Sequence, residues 1–489
     1  MRLSKAALPS LPAEVLRPGY DRAAAHIGIV HLGVGAFHRA HQAVYTEEAM
    51  ARGGLEWGVA GVSLRSPETR DALAPQDGLY TVAIRDGAGE TLRVVGAQLA
   101  TLVAPEDPEA LLAMMTAPQV RIVSLTVTEK GYCHDPATGA LKESHPDIVH
   151  DLSNPHRPRS APGFLVEALA RRRAADVAPF TVLCCDNLPA NGKTVKKVLV
   201  GYALLRDPEL AMHITRDVAC PSTMVDRIVP ATTDADRAHV AARLGVEDAW
   251  PVMTEPFSQW VVEDDFPEGR PDWRGVEFTD DVAPYELMKL RLLNGSHSTI
   301  AYLGALAGWE FVSTAMSDPD LAAHVRAMMD AEVTPTLKVP AGFDVDAYKD
   351  QLIARFLNPA LNHRTRQIAM DGTQKLPQRL LAPIRDRLAN DEPVDRLALG
   401  VAAWMRYATG RGENGETHKV DDPMGAELIE RGAQAGDDAA ALARAYMAMP
   451  AVFGTDLAED SRFVAPVVAA LADLISIGAK ATLAKRRVA

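Results

Sequence analysis

The chain has 489 residues, of which 47% are hydrophobic and 24% charged. This composition is typical of a globular protein and excludes a disordered or collagen-like chain. Sixty-four acidic residues against 51 basic ones give a net charge of −13. Because an acidic surface offers phosphate backbones no general attraction, we do not expect nucleic acid as a partner. At roughly 100–200 residues per domain, the length predicts two or more domains.

The cysteines are too few and too irregularly spaced for a disulfide framework. The sequence contains no C-x-x-C pair, so we do not expect a structural zinc site. They are Cys133, Cys184, Cys185 and Cys220. The first twelve residues have no continuous apolar stretch, so no signal peptide is expected. The longest late apolar stretch, Val464 to Ile475, is interrupted by Pro466 and Asp473. We therefore expect a reduced, soluble, cytoplasmic protein without a metal site or a membrane span.

Up to about residue 275, apolar runs of strand length alternate with helical patterns. The runs are Ile27–Leu32, Gly58–Leu64, Arg121–Thr128 and Phe180–Cys185. Near-continuous apolar runs are typical of strands buried on both faces, as in a parallel sheet. Gly163–Ala175 and Lys193–Arg206 have helical patterns between or after them. The alternation predicts a doubly wound α/β sheet.

Beyond Tyr285 the strand signals end and helical patterns dominate. They cover 285–309, 318–333, 345–356, 375–389, 394–409, 423–447 and 459–486. Asp318-Pro319 and Asp422-Pro423 each place a capping acid before a proline at the first helical position. The sequence therefore predicts an α/β domain at 1–280 and a mostly α-helical domain at 281–489, with the boundary in the Pro/Gly/Asp-rich stretch 264–281.

A glycine-rich loop, Gly33-Val34-Gly35, follows the first predicted strand. Two glycines at this spacing allow a tight turn and a close approach of backbone N–H groups to a pyrophosphate, at the N-terminus of the next helix. The third glycine of the usual fingerprint is replaced by His38. Half a fingerprint also fits an ordinary strand–helix turn, but its place on the first strand favours dinucleotide binding.

The residues after the second predicted strand bear on the choice of cofactor. An acid at this position binds the ribose 2′-hydroxyl of NAD, whereas an arginine accommodates the 2′-phosphate of NADP. Here Arg65 precedes Glu68. The loop leaves the choice between NAD and NADP open.

The segment Tyr285–Ser298 carries three polar residues suited to alcohol chemistry. On an ideal α-helix, Lys289, Asn294 and His297 would fall within an arc of about 140°. A desolvated lysine can act as a general base, Asn can donate to a developing alkoxide, and His can orient a hydroxyl. Asn294-Gly295 could break the helix locally. The alternative is a solvated amphipathic helix with a polar stripe.

Two other predicted strands end in polar residues. Asp186-Asn187 follow a buried strand at the carboxyl edge, where open α/β sheets bind ligands, although an Asx turn is the alternative. Asp226-Arg227 stand in an apolar context and form either a structural ion pair or a wall of a site.

Six motifs in unbroken order resemble one family, the polyol-specific long-chain dehydrogenases or mannitol dehydrogenase family. They are the loop beginning at Gly33, VSLTVTEKGY (123–132), CDN (185–187), MVDRI (224–228), EPFSQWVVED (255–264) and KLRLLNGSHS (289–298). The family includes mannitol 2-dehydrogenases and D-mannonate oxidoreductases, also called fructuronate reductases. The resemblance implies a Rossmann-type domain and metal-independent hydride transfer between NAD, or possibly NADP, and a secondary alcohol or ketone.

The resemblance also implies roles for single residues. Lys289 would be the general acid/base, Asn187 and Asn294 would polarise the carbonyl oxygen, and His297 would bind a substrate hydroxyl. The residues that match cofactor-binding or substrate-binding positions are Gly33, Gly35 and Phe37 for the cofactor, and Asp226 and Lys375 for the substrate.

Two segments, 362–379 and 397–407, resemble the mannonate/fructuronate branch. An aldonate has a carboxylate that mannitol lacks, and a cation must meet it in a cleft. Arg364 is the leading candidate, with Arg366 and Lys375 as alternatives, although these arginines also suit a solvated surface helix. Mannitol 2-dehydrogenase remains the alternative activity.

There are two alternative hypotheses in which the protein is not an enzyme. It could be a nicotinamide-binding sensor or an oligomeric structural protein. The presence of Lys289, Asn294 and His297 favours the enzyme. We expect a small sugar acid or polyol as its partner, and a monomer or weak homo-oligomer.

Overall fold

The structure, a computed structural model, describes residues 1–488. The chain divides into two compact units, Met1–Ala283 and Pro284–Ala489. We refer to them as the first unit and the second unit and describe each by itself.

The first unit is built around a five-stranded parallel sheet. The strands of this unit, among the described residues, are β1 (Ile27–Leu32), β2 (Gly58–Ser63), β3 (Tyr80–Arg85), β4 (Glu90–Val95), β5 (Gln98–Val103), β6 (Ile122–Leu125), β7 (Thr181–Cys184), β8 (Thr223–Asp226), β9 (Val252–Thr254), β10 (Gln259–Glu263) and β11 (Glu277–Thr279). The order of the main sheet is β5-β2-β1-β6-β7. In its centre Val30 of β1 pairs with Ala60 and Val123. All three are fully buried, which explains why these strands read as continuous apolar runs.

Helices follow the strands and cover both faces of this sheet. They are α1 (Ala36–Ala40), α2 (Gln42–Ala51), α3 (Glu68–Leu73), α4 (Pro108–Thr116), α5 (Pro146–Ser153), α6 (Ala161–Ala174), α7 (Asn191–Arg206), α8 (Pro208–Asp217) and α9 (Asp234–Leu244). On one face Leu111, Phe164 and Leu199 pack against Val123 and belong to one buried core. Truncating a buried aromatic such as Phe164 to Ala typically costs about 3–5 kcal/mol. The first unit therefore has the predicted Rossmann-type architecture.

Two three-stranded sheets complete the first unit, in the orders β11-β10-β8 and β4-β3-β9. β10 runs antiparallel to β8, with Trp260 opposite Val225. Both residues belong to the core on the other face of the main sheet, together with Trp273 and Leu183. The small sheet thus fixes the strand that ends at Asp226.

The second unit is mostly helical. Its α-helices, in the described residues, are α10 (Ala283–Met288, which starts at the unit boundary), α11 (Gly295–Leu306), α12 (Val312–Met316), α13 (Pro319–Met328), α14 (Val345–Phe356), α15 (Thr365–Ile368), α16 (Gly372–Leu376), α17 (Ala382–Ala389), α18 (Asp395–Ala408), α19 (Gly425–Ala435), α20 (Ala439–Met447), α21 (Pro450–Phe453) and α22 (Ser461–Val488). π-helical turns occupy Lys289–Asn294, Met329–Val333 and Pro377–Leu381. α18 packs against α11 and α22. Gly400 permits this close approach, since a Cβ there would lie 2.7 Å from the Thr299 Oγ1.

The predicted helix starts have different outcomes. Asp318 caps α13, because its carboxylate accepts the Asp320 and Leu321 N–H groups. Asp422 does not cap a helix as predicted. Its carboxylate accepts from Thr373 and from the Met424 N–H, and α19 begins only at Gly425. The predicted helix 423–447 is wrong in its middle, since the chain turns at Gly436 between α19 and α20.

One helix among the described residues, Ser461–Arg487, is long and apolar enough to cross a membrane by length and composition alone. A helix was predicted at 459–486, and a membrane span was not expected there because Pro466 and Asp473 interrupt the apolar run. The helix breaks at Gly478, where φ is 77° and ψ is 170°. It packs against α18 and α20, and Phe463 and Val467 are fully buried. One side of the helix therefore packs in the second unit, while 33% of its most apolar stretch is buried.

Candidate active site

A cleft of about 910 Å³ lies at the carboxyl ends of β1, β2 and β6 in the first unit. Gly33 and Gly35 line it on one side and Thr126 on the other, with Ser63 and Ala104 further along the sheet edge. Open α/β sheets bind ligands at this edge. The cleft has the size and position expected for a dinucleotide.

The glycine loop is held against the strand beside it. Gly33 has φ of +92°, and a Cβ there would lie 2.1 Å from the Thr126 carbonyl oxygen. Gly35 has an ordinary φ of −81°, and a Cβ there would meet only the Gly33 oxygen, at 3.9 Å. The first glycine is therefore required by the fold. The second leaves open space beside the loop, which suits close approach of a ligand.

The helix after the loop is short, since α1 spans only Ala36–Ala40 before a break at His41. His38, which replaces the third glycine, is buried and its ring stacks on His31 with centroids 3.4 Å apart. Phe37 is not among the residues that line the cleft. Its ring stacks on His41 at 5.0 Å and packs against the core that contains Trp260. Of the three predicted cofactor residues, the structure thus brings two to the cleft.

The end of the cleft beyond β2 carries positive charge. Arg65 and Ser66 line it, whereas Glu68 does not. Lys130, Arg157 and Arg159 line the cleft as well. This concentration of cations contrasts with the chain's net charge of −13 and favours an anionic ligand.

Buried polar side chains fix the strand ends beside the cleft. The Asp186 carboxylate accepts the Val127 N–H at 2.8 Å and the Tyr132 hydroxyl at 2.7 Å, tying the loop after β6 to the end of β7. Burial raises the pKa of Asp186, although these hydrogen bonds oppose the shift. Asn191 donates to the Cys184 and Thr223 carbonyl oxygens. The sequence analysis missed both positioning roles. They leave Asn187 exposed at the carboxyl end of β7.

Asp226 is buried at the end of β8. Arg227 is buried too, but its guanidinium donates to the backbone carbonyls of Glu255 and Ala40 and makes no hydrogen bond to its neighbour. Burial lowers the pKa of Arg227 to about 10. The Arg227 guanidinium is therefore held by backbone carbonyls.

In the second unit, Lys289 begins a π-helical turn and is only 8% exposed. The Gly295 N–H donates to the Leu290 carbonyl, five residues earlier, and Gly295 keeps helical dihedrals. The suggested break at Asn294-Gly295 is therefore wrong. A π turn spaces hydrogen-bonded residues five apart, which places Asn294 one turn beyond Lys289. Such turns are frequent at functional sites.

His297 follows on α11 and is also 8% exposed. Its ring lies 4.6 Å from the Phe356 ring and 5.3 Å from that of His363, between centroids. Burial, with smaller contributions from the charges of His363 and two arginines, lowers the pKa of His297 well below its usual value. A neutral imidazole can donate to one substrate hydroxyl or accept from it.

Two cations lie in the next part of the second unit, Lys375 on α16 and Arg379 on the π turn that packs against Lys289–Asn294 and α11. The Lys375 Nζ donates to the Met370 carbonyl at 2.6 Å. Arg379 donates to the Ser298 Oγ at 3.2 Å. By contrast, the Arg364 side chain is 61% exposed and ion-paired with Glu310. Arg366 is exposed. Arg364, the leading candidate from the sequence for binding a substrate carboxylate, is thus exposed and already paired with a carboxylate of the chain.

Three possible metal ligands, Cys133, His145 and Asp147, have ligand atoms within 4.8 Å of one another. The sequence analysis did not find this group because no regular spacing connects its members. The His145 Nδ1 already accepts the Asp147 N–H as a helix cap. Burial raises the pKa of the Cys133 thiol to about 12, so the thiol is protonated at neutral pH. The group serves as a capped turn beside the cleft.

Sequence comparisons cover both units. A sequence model of the mannitol dehydrogenase Rossmann domain matches residues 27–275, and one of the mannitol dehydrogenase C-terminal domain matches residues 281–475. The chain belongs to the mannitol dehydrogenase family. The first of these matches contains the cleft, and the second contains the segment from Lys289 to Arg379.

Members of the mannitol dehydrogenase family resemble the chain over almost their whole length. An uncharacterized oxidoreductase of Escherichia coli K12, YdfI, is 48% identical, covering 97% of this chain and 98% of the relative. The D-mannonate oxidoreductase of the same organism is 46% identical, with 96% and 98% covered. The solved mannitol 2-dehydrogenase of Pseudomonas fluorescens, a ternary complex with NAD and D-mannitol, is 41% identical with a TM-score of 0.87, and 100% of each chain is covered.

Proposed function

We propose that this oxidoreductase interconverts D-mannonate and D-fructuronate with NAD. The observation that carries the proposal is the buried Lys289 on a π turn, with Asn294 one turn later and neutral His297 beyond it. A lysine removed from water can lose its proton near neutral pH, which a general base requires. No metal is needed for this chemistry.

The first unit fits the cofactor. Gly33 forms the tight turn, and the open space at Gly35 suits the pyrophosphate. Cations along the cleft suit its negative charge. The structure of the Pseudomonas fluorescens relative contains NAD, and we assign NAD here. When bound, the nicotinamide accepts or supplies the hydride.

The chain's own residues handle the proton and the oxygen. In alcohol oxidation the Lys289 Nζ takes the hydroxyl proton, and in ketone reduction it returns the proton to the same oxygen. The Asn294 amide donates to the developing negative charge on that oxygen, and Asn187 is proposed for the same role. His297 binds a neighbouring hydroxyl and orients the carbon chain. Asp226 and Lys375 are proposed to contact the substrate.

Two findings support a sugar acid as the substrate. The D-mannonate oxidoreductase relative is 46% identical, and the half-buried Arg379 contacts Ser298, next to His297. The alternative activity is mannitol 2-dehydrogenase, which the D-mannitol complex of the solved relative favours. The two activities differ in whether a carboxylate must be bound.

Absorbance at 340 nm, followed with NADH and a panel of ketones, tests the proposal. We expect D-fructuronate to be reduced with a higher kcat/KM than D-tagaturonate or D-fructose, and D-mannonate to be oxidised faster than mannitol or arabinitol. A preference for fructose and mannitol would assign the chain to the alternative activity. NADH binding without turnover of any of these compounds would favour a sensor.

A further inference from the structure

Arg379 lies on a π turn of the second unit and donates to neutral oxygens. Its Nη1 donates to the Ser298 Oγ at 3.2 Å and to the Asn294 carbonyl at 3.4 Å, both neutral oxygens. Lys375, four residues earlier, donates to two backbone carbonyls. Among residues 1–488, no carboxylate forms an ion pair with either cation. Most donors of the guanidinium are thus left for another partner.

Two other arginines of the second unit have carboxylate partners. Arg291 pairs with Asp386 at 2.6 Å, and Arg385 pairs with Asp456 at 2.6 Å. Removing a cation from water without a counter-ion is costly. Two like charges four residues apart also repel each other. Burial, together with the charge of Arg379, lowers the pKa of Lys375, although the charges of Asp371 and Asp422 oppose the shift. An anion from outside the chain would relieve both costs.

The guanidinium is also held in place beside the proposed catalytic residues. Its two acceptors, Asn294 and Ser298, flank His297 in the sequence. A Cβ on Gly295 would lie 2.9 Å from the Arg379 carbonyl oxygen, so this glycine lets the π turn that carries Arg379 pack directly on the start of α11. Ser298 is only 1% exposed. The position of Arg379 is therefore fixed relative to the residue proposed to bind a substrate hydroxyl.

We propose that Arg379, assisted by Lys375, binds the carboxylate of a sugar-acid substrate and selects aldonates and ketouronates over neutral polyols. This rests on the proposed function. A guanidinium binds a carboxylate through two parallel hydrogen bonds, which gives orientation as well as affinity. We therefore assign the carboxylate-binding role to Arg379 and not to Arg364, whose ion pair with Glu310 lies at the surface.

The test compares kcat/KM for D-fructuronate and D-fructose in the wild type, Arg379→Gln, Arg379→Lys and the matched control Arg385→Gln. We expect Arg379→Gln to lose roughly 10–150-fold with fructuronate and much less with fructose. Arg379→Lys, which keeps the charge without the planar fork, should lie between. Arg385→Gln should keep the wild-type ratio. Unchanged NADH binding, measured by fluorescence, shows that each variant is folded.

A second measurement does not depend on which ketone is reduced. D-Mannonate should inhibit the reduction of any accepted ketone, and Arg379→Gln should raise its inhibition constant by a similar factor. Equal losses with both ketones, an unchanged inhibition constant, or a selective loss in Arg364→Gln instead would overturn the assignment of Arg379. The wild-type preference alone tests the proposed substrate, so failure of that proposal is recognised separately.

Discussion

Alanine substitutions at the two glycines of the cofactor loop should have different effects. At Gly33 the added methyl group would lie 2.1 Å from the Thr126 carbonyl oxygen, on a backbone with φ of +92°. A left-handed conformation costs a non-glycine residue roughly 1–2 kcal/mol, and overpacking costs about 1–3 kcal/mol. Gly33→Ala should therefore lower the free energy of unfolding by about 2–5 kcal/mol, a large share of the roughly 5–15 kcal/mol typical of a domain.

Gly35→Ala is the matched control for stability. Its methyl group would meet only the Gly33 oxygen at 3.9 Å, so we expect a change within about 0.5 kcal/mol in unfolding. Because the methyl group would occupy the space proposed for the pyrophosphate, NADH affinity should fall at least roughly tenfold, or about 1.4 kcal/mol. Urea unfolding and NADH fluorescence titration measure the two effects. A wild-type urea midpoint for Gly33→Ala would refute the loop geometry, and unchanged NADH affinity for Gly35→Ala would refute the cofactor role.

Four further predictions follow from the site and its surroundings. Lys289→Ala should lower turnover by about 10²–10⁴-fold with near-normal NADH affinity, and a variant with wild-type turnover would contradict the acid/base role. Prolonged EDTA treatment should leave the rate unchanged, whereas a chelated enzyme restored by Zn²⁺ would refute a lysine-based mechanism. Any activity with NADPH should fall about 10–150-fold in Arg65→Ala while NADH activity is largely kept, and equal losses with both cofactors would speak against a 2′-phosphate contact. Burial lowers the pKa of His324 to about 3. Because the unfolded chain binds this proton below about pH 6.5, stability should fall as the pH drops, by about 2 kcal/mol at pH 5 from this residue. His324→Gln should show a shallower fall in urea midpoint, and an unchanged slope would contradict the assignment.

The strands of the main sheet could be predicted because both of their faces are buried. β1 begins and ends at the predicted residues, Ile27 and Leu32, and β7 differs from its prediction by one residue at each end. Such apolar runs can be recognised in the sequence without knowing which strands lie beside them. The small sheet of β8, β10 and β11 was not predicted, since it depends on pairings such as Trp260 with Val225 that are distant in sequence.

The candidate site was predictable in its residue types but not in its geometry. The spacing from Lys289 to His297 suggested a shared helix face. The sequence alone, however, does not distinguish a π turn from an α turn. The difference is a hydrogen bond shifted by one residue, which packing decides. The sequence analysis did not propose Arg379 as a site residue, although the sequence contains a signal for it. It has no acid three or four residues away and another cation, Lys375, four residues before it, a pattern that predicts an unpaired charge.

The π turn from Lys289 to Asn294 lets the helix absorb a change in chain length. Such a turn holds one residue more than the α-helix that would replace it. Deleting one residue between Lys289 and Asn294 would let α10 and α11 join as one continuous α-helix, with no loss of backbone hydrogen bonding. Because the π turn and the shorter α-helical segment cover nearly the same rotation about the helix axis, side chains beyond the deletion would keep their direction relative to the lysine. Asn294 and His297 would stay on the same side of the helix as Lys289, and the change would be confined to the residues inside the turn. This part of the molecule can therefore lose a residue without losing the alignment of its polar side chains.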